Sequence, residues 1–161
     1  MSFKAGSATR IINCEIGDDL AGQYHRRLCE GIRDNLEANF LYLANEQARV
    51  LLVSLDLAGI FENAYVREVC SAVEAAVGIP ARKVILTSTH THDGPDTLGL
   101  LRNSPKNERY LASLRGWVVE GAKEAASSAR PARIGWALGK AHIGCNRRLC
   151  WEDGTHSMYG D

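Results

Sequence analysis

The sequence predicts an α/β fold: a layered mixed β-sheet with packed helices. Three observations carry this. Residues 50–57 and 84–88 are short apolar runs rich in branched side chains, the pattern of strands. Residues 61–77 and the stretch around Leu111 to Ala125 switch to helical spacing. The two kinds alternate in the order strand, hairpin, helix, strand, helix, strand, without an internal repeat or linker. The 161 residues suffice for one hydrophobic core, so residues 1–161 read as a single domain or part of one.

Taken in order, residues 7–16, with Ala8, Thr9, Ile11 and Ile12, read as a first strand ended by the turn Gly17-Asp18-Asp19. Residues 24–34 are polar and show no period; His25 there reads as a solvated neighbour of Arg26 and Arg27. Phe40-Leu41-Tyr42-Leu43 and residues 50–57 flank the turn-like Asn45-Glu46-Gln47, which suggests a hairpin. Residues 50–57 are apolar almost throughout, the pattern of a central strand buried on both faces. Phe61, Tyr65, Val69, Ala72, Val73 and Ala76 form a helical stripe stopped by Gly78-Ile79-Pro80. Residues 84–88 form another strand of the buried type, ending directly before Thr89 and His90. Ser104 and Pro105 have the chemistry of a helix cap and first turn, ahead of the stripe Leu111, Leu114, Val118, Ala122 and Ala125. Trp117 borders that stripe. Residues 133–144 alternate, with Ile134, Trp136, Leu138 and His142 on one face, and predict a further strand in which Trp136 packs. Residues 147–161 have no clear period.

Charge and cysteine content narrow the functional classes. Lys+Arg and Asp+Glu are equal at 19 each, so no basic field exists for nucleic acid or an anionic membrane surface. No apolar run is long enough to span a bilayer; residues 50–60 are interrupted by Ser54 and Asp56. The N-terminus lacks the apolar core of a signal peptide, which predicts a cytoplasmic protein, with secretion as the alternative if a leader precedes this numbering. Five scattered cysteines (Cys14, Cys29, Cys70, Cys145 and Cys150) fit free thiols better than a disulfide framework.

The chemistry concentrates in Thr89-His90-Thr91-His92-Asp93-Gly94-Pro95-Asp96. A strand that empties into a glycine-containing polar loop is where ligands gather in open α/β sheets. Neutral imidazole is the commonest protein ligand for zinc, and carboxylates ligate it or orient its ligands. In an extended segment residues two apart point the same way, so His90 and His92 would face one cleft. They would share a metal there, or one would bind it while the other hydrogen-bonds. The alternative is a pair of surface histidines, since a metal site needs third and fourth ligands.

The loop resembles the histidine motif of the neutral/alkaline, non-lysosomal ceramidase family, in its N-terminal domain. Gly31-Ile32-Arg33-Asp34-Asn35-Leu36-Glu37-Ala38 resembles the family's segment before its first hairpin. Val53-Ser54-Leu55-Asp56-Leu57 resembles its buried strand ending in aspartate, and Gly94-Pro95-Asp96-Thr97-Leu98-Gly99-Leu100 follows the pattern of bacterial members. Asn146-Arg147-Arg148 lies where the family carries an asparagine-arginine motif. These matches run through almost the whole chain in order.

The resemblance implies a zinc-dependent amide hydrolase that cleaves an N-acyl bond, in ceramide or a related lipid amide, with metal-activated water. It implies Zn2+ as cofactor, His90 as a metal ligand, and His92 and Arg147 as catalytic residues. Zinc lowers the pKa of bound water and polarises a carbonyl, and a neighbouring histidine or arginine handles the proton or the developing oxyanion. Two departures stand out. Asp93 replaces the usual serine of the motif, and the family's remaining zinc histidine, glutamate and tyrosine lie downstream of the matched region. The expectation is therefore a fragment or truncated product, the N-terminal portion of a larger catalytic domain. Its site would be completed by chain beyond Asp161 or by a partner subunit.

Local candidates for site support are Asp56, Asp93 and Asp96. Asp56 ends an apolar strand, and would orient a site histidine or cap a neighbouring turn. His142, Cys145, Cys150 and His156 lie near one another in sequence, a grouping that reads as incidental. Two rivals accompany the amidase reading. One is a non-catalytic remnant that keeps the motif without a full metal site; the other is a metal hydrolase for another amide or ester.

Overall fold

The polar turn at Asn45 makes the central hairpin. Its side-chain oxygen accepts from the amides of Gln47 and Ala48 at 2.9 and 2.8 Å, an arrangement that folds the chain back on itself. The computed structural model describes residues 3–60, 62–99, 105–144, 146 and 148–158. Chain order is β1 (Lys4–Ile11), β2 (Asp19–Leu20), β3 (Arg27–Leu28), β4 (Glu37–Ala44), β5 (Arg49–Leu55), α1 (Asn63–Val77) and β6 (Val84–Ser88). After these come α2 (Glu108–Ser127), β7 (Arg130–Pro131), β8 (Arg148–Cys150) and β9 (His156–Met158).

The main sheet has the order β6-β5-β4-β1-β7 and is mixed. β4 pairs antiparallel with β1 and with β5, whereas β5 and β6 run parallel because α1 carries the chain across between them. β2 pairs with β3, and β8 with β9, as separate two-stranded ribbons. The predicted α/β sheet with packed helices is thus the observed architecture.

Both helices lie on one face of the sheet. Phe40, Tyr42, Leu51, Val53 and Leu55 from the strands meet Val69 and Val73 of α1 and Leu111, Leu114, Val118 and Ala122 of α2. Two glycines set the closeness of α2. A Cβ on Gly121 would lie 2.3 Å from the Phe40 ring, and one on Gly6 would lie 2.1 Å from the Ala125 carbonyl oxygen. Tyrosines fasten the layers: Tyr110 donates to the Ile12 carbonyl at 2.5 Å and Tyr65 to the Leu111 carbonyl at 2.7 Å. Burial pushes both phenols well above the usual tyrosine range, so they stay protonated donors.

The opposite face is open. Ser7, Leu41, Leu52 and Ile85 form a row in register across β1, β4, β5 and β6, and Leu41, Leu52 and Ile85 are all exposed. The expectation that residues 50–57 are buried on both faces is therefore corrected: β5 alternates, with Leu51, Val53 and Leu55 inside and Leu52 outside. Among the described residues nothing covers that second face.

Other boundaries move for local reasons. The first strand begins at Lys4 and ends at Ile11, because β4 provides partners only from Glu37 to Ala44. Helix α1 ends as predicted, with Gly78 at φ 69° donating to the Glu74 carbonyl. Its buried stripe includes Cys70, whereas Ala76 is exposed; Phe61 lies outside the described residues. Helix α2 does not begin at Pro105. Asn107 caps it, accepting from the Tyr110 amide at 3.0 Å, and Ser104 lies outside the described residues. The stripe from Leu111 to Ala125 is buried as expected, and Trp117 packs edge-on against Tyr110.

Residues 133–144 are not a strand. Pairing with β1 stops at Lys4↔Pro131, and the Ala132 amide makes the last bond, to the Phe3 carbonyl. Beyond that point alternation has no partner to pair with, so Ile134, Trp136 (87% exposed) and Leu138 stand in solvent, and the expected packing role of Trp136 is wrong. Among the described residues no helix is long and apolar enough to cross a membrane.

Candidate functional site

The site forms where two parallel neighbours end. β5 runs into Asp56-Leu57-Ala58 and β6 runs into Thr89-His90, and the ladder continues past both: Thr89 donates to the Leu55 carbonyl at 2.9 Å and His90 to the Leu57 carbonyl at 3.0 Å. Asp56 locks this junction. One carboxylate oxygen accepts from the Glu37 amide at 3.0 Å and the other from the Thr89 hydroxyl at 3.1 Å. Asp56 thus acts as a cap that holds the residue before His90, and it does not touch an imidazole.

At His90 the backbone turns into the left-handed region, with φ 64°. This departs from the extended geometry read from the sequence, but it delivers the same outcome. The Nε2 atoms of His90 and His92 face each other at 3.3 Å, with the rings edge to face and centroids 4.9 Å apart. The Nδ1 atom of His90 lies 2.6 Å from the Ala58 carbonyl. A carbonyl only accepts, so Nδ1 carries the proton and Nε2 of the neutral ring keeps its lone pair. That is how a metal-ligating histidine is oriented by its second nitrogen.

At 3.3 Å the His92 Nε2 can donate to the His90 Nε2 lone pair, and that lone pair is the one the site offers to a metal ion. Both imidazoles are solvent-exposed. Among the described residues, no three His, Cys, Asp or Glu side chains gather to hold a metal ion. The residues present therefore fit zinc through His90, with His92 beside it to handle a proton, and the further donors of a four-ligand shell are not among the described residues.

A clasp that sequence reasoning missed holds this loop. β2, β3 and the turn between them lie against residues 92–96. The Ala21 amide donates to the Gly94 carbonyl at 3.0 Å, the Asp96 amide donates to the Asp19 carbonyl at 2.7 Å, and Leu20 bridges Pro95. Gly22, at φ 94°, lies so close to His92 that a Cβ there would fall 2.3 Å from the imidazole Cγ. Arg27 donates to the Asp93 carboxylate at 3.1 Å and to the His92 carbonyl. Next to it, Arg26 pairs with Asp19 and holds that carboxyl below its usual range. The two-residue strands carry almost no periodic signal; only the turn chemistry of Gly22 was available to find them.

The other candidates fall elsewhere. Asp93 is exposed and engaged by Arg27. Asp96 is buried, and its Oδ1 accepts from the Leu98 and Gly99 amides at 2.9 and 2.8 Å, so its role is to shape the turn after Pro95. Arg147, Cys145 and Leu100 lie outside the described residues. Cys150 and His156 face each other in register on the β8–β9 ribbon, and His142 is exposed in the irregular stretch; the structure does not bring them together with the loop histidines.

A cavity of about 670 Å³ lies beside the loop. Thr91, Asp93, Asp56, Cys14, Cys29 and Leu36 help to line it, and neither imidazole does. The His90 Nε2 lone pair facing a second imidazole, not cavity size, marks the chemistry here. Burial, with the neighbouring Cys29, pushes the Cys14 thiol up to about 12, so it is protonated at neutral pH.

No protein-family model matches this chain, and no curated protein matches it in sequence. Solved structures do match. A crystal structure of neutral ceramidase from Pseudomonas aeruginosa is similar over 81% of this chain, with a TM-score of 0.71 and 20% identity. A ceramidase complexed with C2 is similar over the same share, with a TM-score of 0.66 and 20% identity. In both cases the chain spans only 22% of the ceramidase it matches. The likeness is one of fold.

Proposed function

We propose that this chain supplies one edge of a zinc-dependent amide hydrolase site of the ceramidase type. The observation that carries the reading is the meeting of the His90 and His92 Nε2 atoms at 3.3 Å, with His90 Nδ1 committed to the Ala58 carbonyl. The fold shared with ceramidase structures supports it. The substrate class is an N-acyl amide, ceramide or a related lipid amide, which follows from those neighbours' names and from the sequence motif.

In this reading His90 holds the zinc ion and His92 stands beside it. When bound, the ion lowers the pKa of a water molecule and polarises the amide carbonyl. The chain's own groups do the rest. The Ala58 carbonyl fixes the His90 tautomer, Asp56 and Thr89 fix its backbone, and His92 takes or returns a proton at Nε2. Arg147 is assigned by the motif alone, as a stabiliser of negative charge on the carbonyl oxygen.

A second reading is favoured by one observation, the lack of a third metal-binding side chain near the pair among the described residues. In it the chain is a folded remnant without a complete shell. Zinc analysis separates the two. The first reading expects the purified chain to bind zinc from excess metal, an uptake lost in His90→Ala, and to release fatty acid from an N-acylsphingosine once the shell is complete. A chain that takes up no zinc from excess metal overturns it in favour of the remnant. Zinc uptake with hydrolysis only of other amides or esters retains the metal chemistry and overturns the substrate class.

A further inference from the structure

Arg27 sits where nothing in its own sequence neighbourhood requires a cation. It belongs to the short strand β3, only 28% of its side chain is exposed, and its Nε is buried without a hydrogen-bond partner among the described residues. The guanidinium is turned wholly toward the histidine loop. Nη1 donates to the Asp93 carboxylate at 3.1 Å, while Nη2 donates to the His92 carbonyl and, at 3.4 Å, to the Ala21 carbonyl. One planar fork thereby ties the turn of the β2–β3 ribbon to two successive residues of the loop.

These contacts single out His92. Its carbonyl is gripped by Arg27, and the root of its side chain rests on Gly22, where even one methyl group would collide. With backbone and Cβ held from two sides, the rotations left to the side chain are few, and Nε2 stays opposite His90. The charges are arranged to suit a cation. A guanidinium near a bound cation would repel it, and the Asp93 carboxylate on Nη1 offsets that repulsion.

We infer that Arg27 is a positioning residue for the His90–His92 pair, holding His92 through its carbonyl, and that Asp93 is the countercharge that lets a cation bind beside it. This rests on the reading of His90 as a zinc ligand. The mechanism involves no new covalent step. Arg27 touches no reacting atom; it fixes where the second imidazole stands.

The test compares Arg27→Gln, Arg27→Lys and Asp93→Asn with the unaltered full chain, using zinc titration, imidazole nitrogen signals in metal-free protein, and thermal melting. Arg27→Lys keeps the charge and stem but has one nitrogen for two acceptors, so it also serves if Arg27→Gln fails to fold. Both Arg27 variants are expected to shift or broaden the His92 signals. Arg27→Lys, which keeps the charge, is expected to weaken zinc binding by ~10–100-fold, the usual loss when an outer-shell partner goes, whereas Arg27→Gln also removes a repelling charge and loses less. Asp93→Asn is expected to weaken zinc binding while leaving the His92 signals in place. Unmoved His92 signals in both Arg27 variants overturn the inference, as does unchanged zinc affinity in Arg27→Lys. A parent chain that takes up no zinc overturns the parent reading instead, and the nitrogen signals then judge the clamp alone.

Discussion

Gly22→Ala probes the clasp directly, and a second glycine calibrates it. Gly22 has φ 94°, and an added Cβ would fall 2.3 Å from His92 Cγ and 2.5 Å from its Cβ. Rotation about χ1 does not move a Cβ, so the clash can be relieved only by backbone displacement of roughly an ångström, enough to restore van der Waals contact. Gly17 has φ 90° with nothing within 4 Å of the point where a methyl group would stand, so Gly17→Ala carries the conformational cost alone. That cost is about 1–2 kcal/mol, or roughly 2–8 °C of melting temperature for a chain of this size. Gly22→Ala adds an overpacking penalty of ~1–3 kcal/mol. Calorimetric melts of the two variants, with imidazole nitrogen spectra, give the comparison. The reasoning requires the larger loss at Gly22 and a displaced His92 signal. Equal losses with unmoved histidine signals would refute it.

Three other outcomes are open to measurement. Asp56→Ala leaves the half-buried Glu37 amide without its acceptor and should cost about 1–3 kcal/mol by urea unfolding; a change below about 0.5 kcal/mol contradicts the capping role. Gly121→Ala gains ~1 kcal/mol of helix propensity but drives a methyl group into the Phe40 ring, so it should be destabilising overall and partly rescued by Phe40→Leu; a stabilised variant contradicts the packing. Asp19 is held below its ordinary value of 3.8 by Arg26. The stability of this pair is therefore complete above the unfolded carboxyl's pKa and lost as pH falls through the lower folded one. Arg26→Gln should accordingly be less stable than the parent near neutrality, and the gap should close in acid. A gap that persists in acid assigns the effect elsewhere.

The sequence shows some parts of this fold far better than others. Helix α1, its Gly78 stop and the β4–β5 hairpin were legible because each depends on residues a few positions apart. The position of His90 at the end of a strand was legible for the same reason. Arg27 was not: its partners are 65 and 66 residues away, and β3 is two residues long. Residues 133–144 failed in the opposite sense. Their alternation is real, but a strand needs a neighbour, and among the described residues β1 and Phe3 offer no partner beyond Ala132. Residues 50–57 read as doubly buried because apolar composition does not reveal whether a second layer is present; the exposure of Leu52 marks a face left uncovered among the described residues.

The backbone at His90 has one more consequence. A histidine at φ 64° costs the folded state something like ~1 kcal/mol that glycine or asparagine would avoid. Stability and chemistry therefore ask for different residues at position 90. In a library of variants ranked by thermal resistance alone, position 90 would favour glycine or asparagine, while on the zinc reading proposed above a ranking by metal retention would keep His90. Disagreement between two such rankings at a single position would mark this turn as a place where selection kept a strained side chain for what it binds.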